Sequence, residues 1–212
     1  MKVGGIVLCG GQSTRMGYPK ATLPFGSELM LERVVRVLGE VVDPIVVVAA
    51  PEQKLPKLPS EIVVTHDQDE QRGPLEGLRV GLKTLQGMVD GAFATSCDVP
   101  LIRPEFVQFL VESLASHQIV VPTEAAFHHP LAAVYRTDVL PVIQSLLSAN
   151  RMRPAFLFDE VDTKRIPIEN LRSVDADLRS LMNLNTPSDY VHACQQAGVD
   201  PDRRVLAKCT HE

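Results

Sequence analysis

Two short stretches hold the residue types needed to handle a polyanion. In the first, residues 3–20 (VGGIVLCGGQSTRMGYPK), an apolar run ends at Gly10-Gly11 and enters a polar loop with Ser13, Thr14, Arg15 and finally Lys20. Glycine lets the backbone adopt φ > 0 and approach a ligand closely, and successive N–H groups in such a turn form a concave anion nest. Arg15 adds a planar fork and Lys20 a mobile point charge, both suited to phosphate oxygens. The plain alternative is a glycine turn with two solvated cations. In the second stretch, a strand expected over 92–96 ends in Cys97-Asp98-Val99-Pro100. A carboxylate at the carboxyl end of a parallel strand sits in the crevice where α/β folds bind ligands. Mg²⁺ takes one or two carboxylates together with substrate phosphates and waters, a role open to Asp98 opposite the glycine loop. The alternative for Asp98 is a cap on the next helix, but Pro100 and Leu101 intervene and Pro104 is the better helix opener.

What is missing narrows the chemistry. The glycine loop contains neither GxxxxGK[ST] nor GxGxxG, which disfavours a P-loop NTPase and a dinucleotide-binding fingerprint. The 212 residues suit one domain with a full core, and 45% hydrophobic with 22% charged residues marks a globular chain. A net charge of −5 leaves no general affinity for nucleic acid, so any polyanion must be small and locally held. The four cysteines, Cys9, Cys97, Cys194 and Cys209, form no CxxC pair and no zinc spacing, and read as reduced thiols. No apolar run approaches the roughly 20 residues that span a bilayer. Met1-Lys2 leads straight into the first strand without room for a signal peptide, so the expectation is a cytoplasmic protein without membrane contact.

The elements that must position these groups alternate. Continuous apolar runs at 3–9 and 45–50 read as buried strands, and 62–65, 92–96 and 118–122 as further strands. Helical spacing at 29–42, 73–86 and 104–116 supplies crossovers, with Pro74 at a first-turn position. The pattern predicts a doubly wound α/β sheet, mostly parallel and Rossmann-like, in a three-layer sandwich. Further on, residues 131–135 form an apolar run, 137–149 a helix capped by Thr137 or Asp138, and 150–158 a basic turn into a short helix. Residues 163–168 and 181–184 read as late strands, and 187–196 as a helix capped by Thr186. On a strand, Asn183 and Asn185 would face one side, toward the crevice. The asparagines can equally be turn residues. His128 and His129, adjacent on an extended segment, point to opposite sides and are poor joint ligands. Residues 1–196 are expected to form one domain, with a nucleotide-binding half to about 122 and an acceptor-binding half beyond it. Residues 197–212 lack an apolar pattern and read as a tail.

LCGGQSTRMGYPK resembles the L-A-G-G-x-S-x-R-M-G-x-x-K signature of the molybdenum cofactor guanylyltransferase (MobA) family. Gly73-Pro74-Leu75, CDVP at 97–100, His129-Pro130-Leu131 and NLNTPSD at 183–189 resemble further motifs of that family in the same order. The departures are Cys9, a small hydrophobe where the family has Ala, and Ala49, where relatives place a nucleotide-contacting Asn. The resemblance implies transfer of GMP from GTP to molybdopterin, molybdenum-loaded or not, giving the guanine dinucleotide cofactor and pyrophosphate. It implies GTP contacts at Leu8, Cys9, Gly10, Gly11, Lys20, Asp67 (or Asp69), Gly73, Pro74, Leu75 and Asp98. Arg15, Lys20 and Asp98 would be catalytic, with Mg²⁺ on Asp98, and His129, Arg153, Asn183 and Asn185 would face the acceptor. Cys9-Gly10-Gly11 favours guanine over the A-A-G of related cytidylyltransferases. A cytidylyltransferase, another nucleotidyltransferase of this fold, and a non-catalytic GTP-binding carrier are the alternatives. A monomer is expected, with molybdoenzymes or their chaperones as transient partners.

Overall fold

The computed structural model describes residues 1–10, 16–67 and 73–209. The central sheet has eight strands. β1 (Val3–Leu8), β4 (Ile45–Ala49), β5 (Val63–His66) and β6 (Gly91–Ser96) run parallel in the order β5-β4-β1-β6. β9 (Ala132–Arg136) then lies antiparallel between β6 and β7 (Ile119–Glu124), and β10 (Thr163–Pro167) closes that edge parallel to β7. β8 (Phe127–His128) folds back on β7, and β2 (Pro24–Phe25) with β3 (Glu28–Leu29) makes a separate hairpin. The sheet is thus mixed but mostly parallel, as expected. What the apolar run at 131–135 could not reveal is that its strand inserts antiparallel between two others.

Period-2 side-chain alternation sorts the sheet residues onto two faces. Val3, Val7 and Phe93 pack under α1 (Met30–Leu38), α3 (Pro104–Ser113) and α6 (Ile168–Leu171). Ile6, Leu8 and Ala94 pack under α2 (Gly73–Leu85), α4 (Leu140–Ser148) and α5 (Ala155–Glu160). These faces make three layers. The α2 layer sits very close: a Cβ on Gly81 would fall 2.7 Å from Ile6 Cγ2. Only glycine permits that approach, which carries Gly73 and Pro74 toward the carboxyl end of β1.

A third cluster lies beyond the strand ends. Met16, Leu23, Phe25 and Met30 pack with Leu184, Tyr190 and Cys194 from the chain's last quarter. Tyr190, on α7 (Pro187–Ala197), donates its hydroxyl to Pro24 O at 2.9 Å and accepts from Asp202 N at 2.9 Å. The segment after Gly198 is therefore no featureless tail: α8 (Arg203–Cys209) forms there and Val205 is buried in this cluster. Residues 181–184 differ as well. They form no strand but a 3₁₀ turn, Arg179–Leu181, and an extended stretch docked through Leu184 N on Asp98 O at 2.9 Å. Thr137 and Asp138 do not cap α4; their side chains bond Asp90 O and Gln118. Among the described residues no helix is long and apolar enough to cross a membrane.

Candidate active site

β1 and β6 are hydrogen-bonded neighbours with Leu8 opposite Ser96. Two residues further, Gly10 and Asp98 therefore leave the sheet side by side. A cleft of about 800 Å³ opens at these carboxyl ends. One wall holds Leu8, Gly10 and Lys20, another Val48, Ala49, Ala50 and Gln53, and a third Asp67, Gly73, Pro74 and Gly77. The cleft joins the strand ends of β1, β4 and β6 to the first turn of α2, where α/β sheets bind ligands.

At the cleft-lining Lys20 and Ser96 the charged groups converge. Lys20 opens a 3₁₀ turn, Lys20–Thr22, and its Nζ lies 2.6 Å from Asp98 Oδ2 and 2.9 Å from Asn185 Oδ1. Asp98 Oδ1 accepts from Ser96 Oγ at 2.5 Å and from Asn183 Nδ2 at 2.8 Å. Both carboxylate oxygens are thus engaged, and the Lys20 and Asp98 side chains are only 20% and 10% exposed. The pair is sheltered enough to feel reduced screening, yet open to a ligand on the cleft side. Asn183 and Asn185 reach it because α7 is anchored just behind them. Thr186 caps α7 and Asp189 returns a reciprocal capping box, its Oδ2 accepting from the Asn185 and Thr186 amides at 2.9 and 2.8 Å. Burial works to raise the Asp189 pKa, but those amide bonds outweigh it and hold the carboxyl below its usual range.

The expected residues divide accordingly. Leu8, Gly10, Lys20, Asp67, Gly73 and Pro74 line the cleft, and Asp98, Asn183 and Asn185 join beside it through Lys20 and one another. Cys9 and Leu75 turn their side chains into the two cores, leaving only backbone to offer. Cys9 hydrogen-bonds Cys97, and that bond together with burial pushes its thiol well up, fitting a small core residue. His129 lies on the chain two residues before the cleft-lining Leu131, its ring edge-on to Phe127 at 5.0 Å. Burial lowers the His129 pKa, and its buried Nε2 has no hydrogen-bond partner among the described residues. Arg153 is exposed ahead of α5 and does not line the cleft. Gly11, Arg15 and Asp69 lie outside the described residues.

Two further residues belong to the site, Ser96 and Gln53. Ser96 stood two residues before Asp98 on a strand, where alternation places both on one side, so a signal existed. Gln53 stands two residues after Pro51 in a loop, and no pattern marks it.

Comparison with known proteins follows the same lines. The MobA-like NTP transferase domain matches residues 5–163. A probable molybdenum cofactor guanylyltransferase of Mycobacterium avium (strain 104) is 37% identical over 191 residues, spanning 85% of this chain and 95% of that protein. One of Mycobacterium tuberculosis (strain H37Rv) is 36% identical over 199 residues, spanning 92% and 94%. The crystal structure of molybdopterin-guanine dinucleotide biosynthesis protein A from Archaeoglobus fulgidus superimposes with TM-score 0.77 at 23% identity, over 93% of this chain and 99% of that one. That of 2-C-methyl-D-erythritol 4-phosphate cytidylyltransferase from Thermus thermophilus does so with TM-score 0.68 at 14% identity, over 94% and 100%. Both structural likenesses concern the fold.

Proposed function

Because the chain belongs to the MobA-like NTP transferase family, we propose that it is a molybdenum cofactor guanylyltransferase, moving GMP from GTP to molybdopterin. The observation that carries this reading is the Lys20–Asp98–Asn185 cluster, which meets a nucleotide-sized cleft at Lys20. The relatives named for the same activity, similar over most of both chains, support it.

In the reaction, a terminal phosphate oxygen of molybdopterin attacks the α-phosphorus of GTP. A new P–O bond forms, the bond to the bridging β-oxygen breaks, and pyrophosphate leaves with the electron pair. The nucleophile is already an anion, so no protein base is needed; two anions must instead be brought together and aligned. Gly10, and Gly11 after it, present backbone donors to the triphosphate. Lys20, with Arg15, stabilises the charge gathering on pyrophosphate. Asn183 and Asn185 orient the reacting groups, and His129 and Arg153 face the acceptor in the half beyond residue 122. Asp67, Gly73 and Pro74 border the nucleoside.

An Mg²⁺ ion suits this donor set. The Asp98 carboxylate, beside Lys20 Nζ and Ser96 Oγ, is the oxygen ligand the chain offers, and no group of three or more His, Cys, Asp or Glu assembles among the described residues. That is the sparse, hard-oxygen pattern of a cation held partly by substrate phosphates. Bound at Asp98, it would neutralise charge on the triphosphate. Such a chain would work as a cytoplasmic monomer, handing its product to a molybdoenzyme or its chaperone.

The test is mass spectrometry of a reaction containing GTP, Mg²⁺ and molybdopterin, with CTP in a parallel tube. Guanine dinucleotide and pyrophosphate from GTP are expected. Dinucleotide from CTP alone would change the product, and GTP binding without turnover would make the protein a carrier.

A further inference from the structure

β4 ends in Ala49, and Ala50 follows it at the cleft wall. Neither offers a polar side chain. The chain then turns sharply: Gln53 N donates to Ala50 O at 3.2 Å, with Pro51 second in the turn and Glu52 third at φ 59°. This is the geometry of a type II turn, whose third position favours glycine. Glutamate there carries backbone strain, and strained positions gather at ligand sites. The turn delivers Gln53 back into the cleft.

The Gln53 side chain bridges two strand ends. Its Nε2 donates to Cys9 O at 3.0 Å, and its Oε1 accepts from Ala50 N at 3.0 Å. A carbonyl can only accept and an amide N–H only donate, so the orientation of the side-chain amide is determined. A primary amide has two N–H groups and two lone pairs. One of each is spent on the backbone, which leaves one of each for the cleft.

We propose that Gln53 is a specificity-determining residue for the nucleoside, its spare N–H and lone pair engaging a paired donor and acceptor on the bound nucleotide. The assignment rests on the nucleotide-binding reading of this cleft. Two parts of GTP present that chemistry: the guanine edge and the ribose diol. Gln53 lines the same cleft as Gly10 and as Asp67, Gly73 and Pro74. The bond to Cys9 O also links whatever Gln53 touches to the start of the glycine loop.

The experiment compares wild type with Gln53→Met, which keeps length but no amide. GTP, ITP, 2′-deoxyGTP and inorganic tripolyphosphate are titrated by calorimetry. Loss of up to two neutral hydrogen bonds predicts about tenfold weaker GTP binding, with tripolyphosphate unchanged. Wild type should discriminate GTP from one analogue, and the discrimination should collapse in the variant, as coupled groups do. Collapse for ITP assigns the base, and collapse for 2′-deoxyGTP the ribose. As a check independent of any variant, the Gln53 side-chain NH₂ resonances of wild type should shift with GTP and not with tripolyphosphate. Equal weakening of GTP and tripolyphosphate, or unchanged GTP binding, overturns the assignment while wild-type GTP binding preserves the reading beneath it. A wild-type protein that binds no nucleotide overturns both.

Discussion

Replacing Asp98 with asparagine should change GTP affinity in opposite directions with and without Mg²⁺. In the resting site Lys20 Nζ lies 2.6 Å from Asp98 Oδ2, so an incoming phosphate meets a dipole rather than a free ammonium. For a phosphate oxygen about 4 Å from the ammonium and about 6 Å from the carboxylate, at an effective dielectric near 20, the attraction is about 4 kcal/mol per unit charge and the repulsion about 3. Asp98→Asn removes the repulsion. After screening by solvent and salt, a gain of about 1 kcal/mol, roughly fivefold in Kd, should remain for metal-free GTP. With Mg²⁺ present the missing carboxylate costs instead: affinity should fall about tenfold, and turnover about a hundredfold, the scale for losing one preorganised electrostatic group. The fold should survive with a modest loss. No orientation of the new amide serves Lys20, Ser96 and Asn183 together, because its NH₂ meets either the ammonium or the Asn183 NH₂. One lost bond is worth about 1–2 kcal/mol, which a thermal melt of the free variant will register. The assay is calorimetry with GTP in EDTA and in Mg²⁺. Weakening under both conditions, or tightening under both, would falsify the argument that Asp98 masks Lys20 in the free protein.

Lys20→Met should cut kcat/KM by about 10- to 150-fold, the 1.5–3 kcal/mol of a charge-assisted hydrogen bond, in steady-state assays of pyrophosphate release. Lys20→Arg should recover little, since a planar fork does not match a compact ammonium held between Asp98 Oδ2 and Asn185 Oδ1. Ser96→Ala removes one of two bonds to Asp98 Oδ1 and should lower kcat about three- to tenfold with little change in KM for GTP, which initial-rate kinetics will separate. Asp189→Asn should cost about 1 kcal/mol at neutral pH through the capping box. The folded Asp189 pKa is depressed, so its stabilisation is present above the unfolded value, near 3.9, and fades as pH falls through the folded value. The gap between urea melts of wild type and variant should therefore begin to narrow near pH 4 and close only below the folded Asp189 pKa, and a gap that persists at the acid end would assign the effect to packing.

The sequence exposed those parts of the fold whose causes are local. β1 and β4 are buried along their whole length, so each reads as an unbroken apolar run. Asp98 was visible because it follows an expected strand. The stretch at 181–184 misled for the converse reason. Leu184 is buried, but it packs in the cluster beyond the strand ends and bonds Asp98 O rather than a neighbouring strand. Alternating apolar residues report burial and say nothing of whether a sheet edge is free to receive them. Val205 follows two arginines, and a single buried position among the described side chains of α8 makes no period. Gln53 is unmarked because its partners are backbone atoms 44 and three residues away, a relation no local pattern encodes.

The Lys20–Asp98 cluster explains why the last quarter of the chain matters to the chemistry. Lys20 and Asp98 lie within the span matched by the MobA-like NTP transferase domain, residues 5–163, while Asn183, Asn185 and Asp189 lie beyond it. Yet, among the described residues, Asn185 supplies one of the two oxygens that hold the Lys20 ammonium, and Asn183 one of the two donors on Asp98 Oδ1. Their placement depends in turn on α7, which Tyr190 fastens to Pro24 on the same loop that carries Lys20. The segment from Met16 to Phe25 and the segment from Leu184 to Cys194 therefore share one small core. A shift in either moves the ammonium relative to the carboxylate. Precision at the cluster is set by this core, outside the sheet, and the two large faces of the sheet supply the rigidity against which it works.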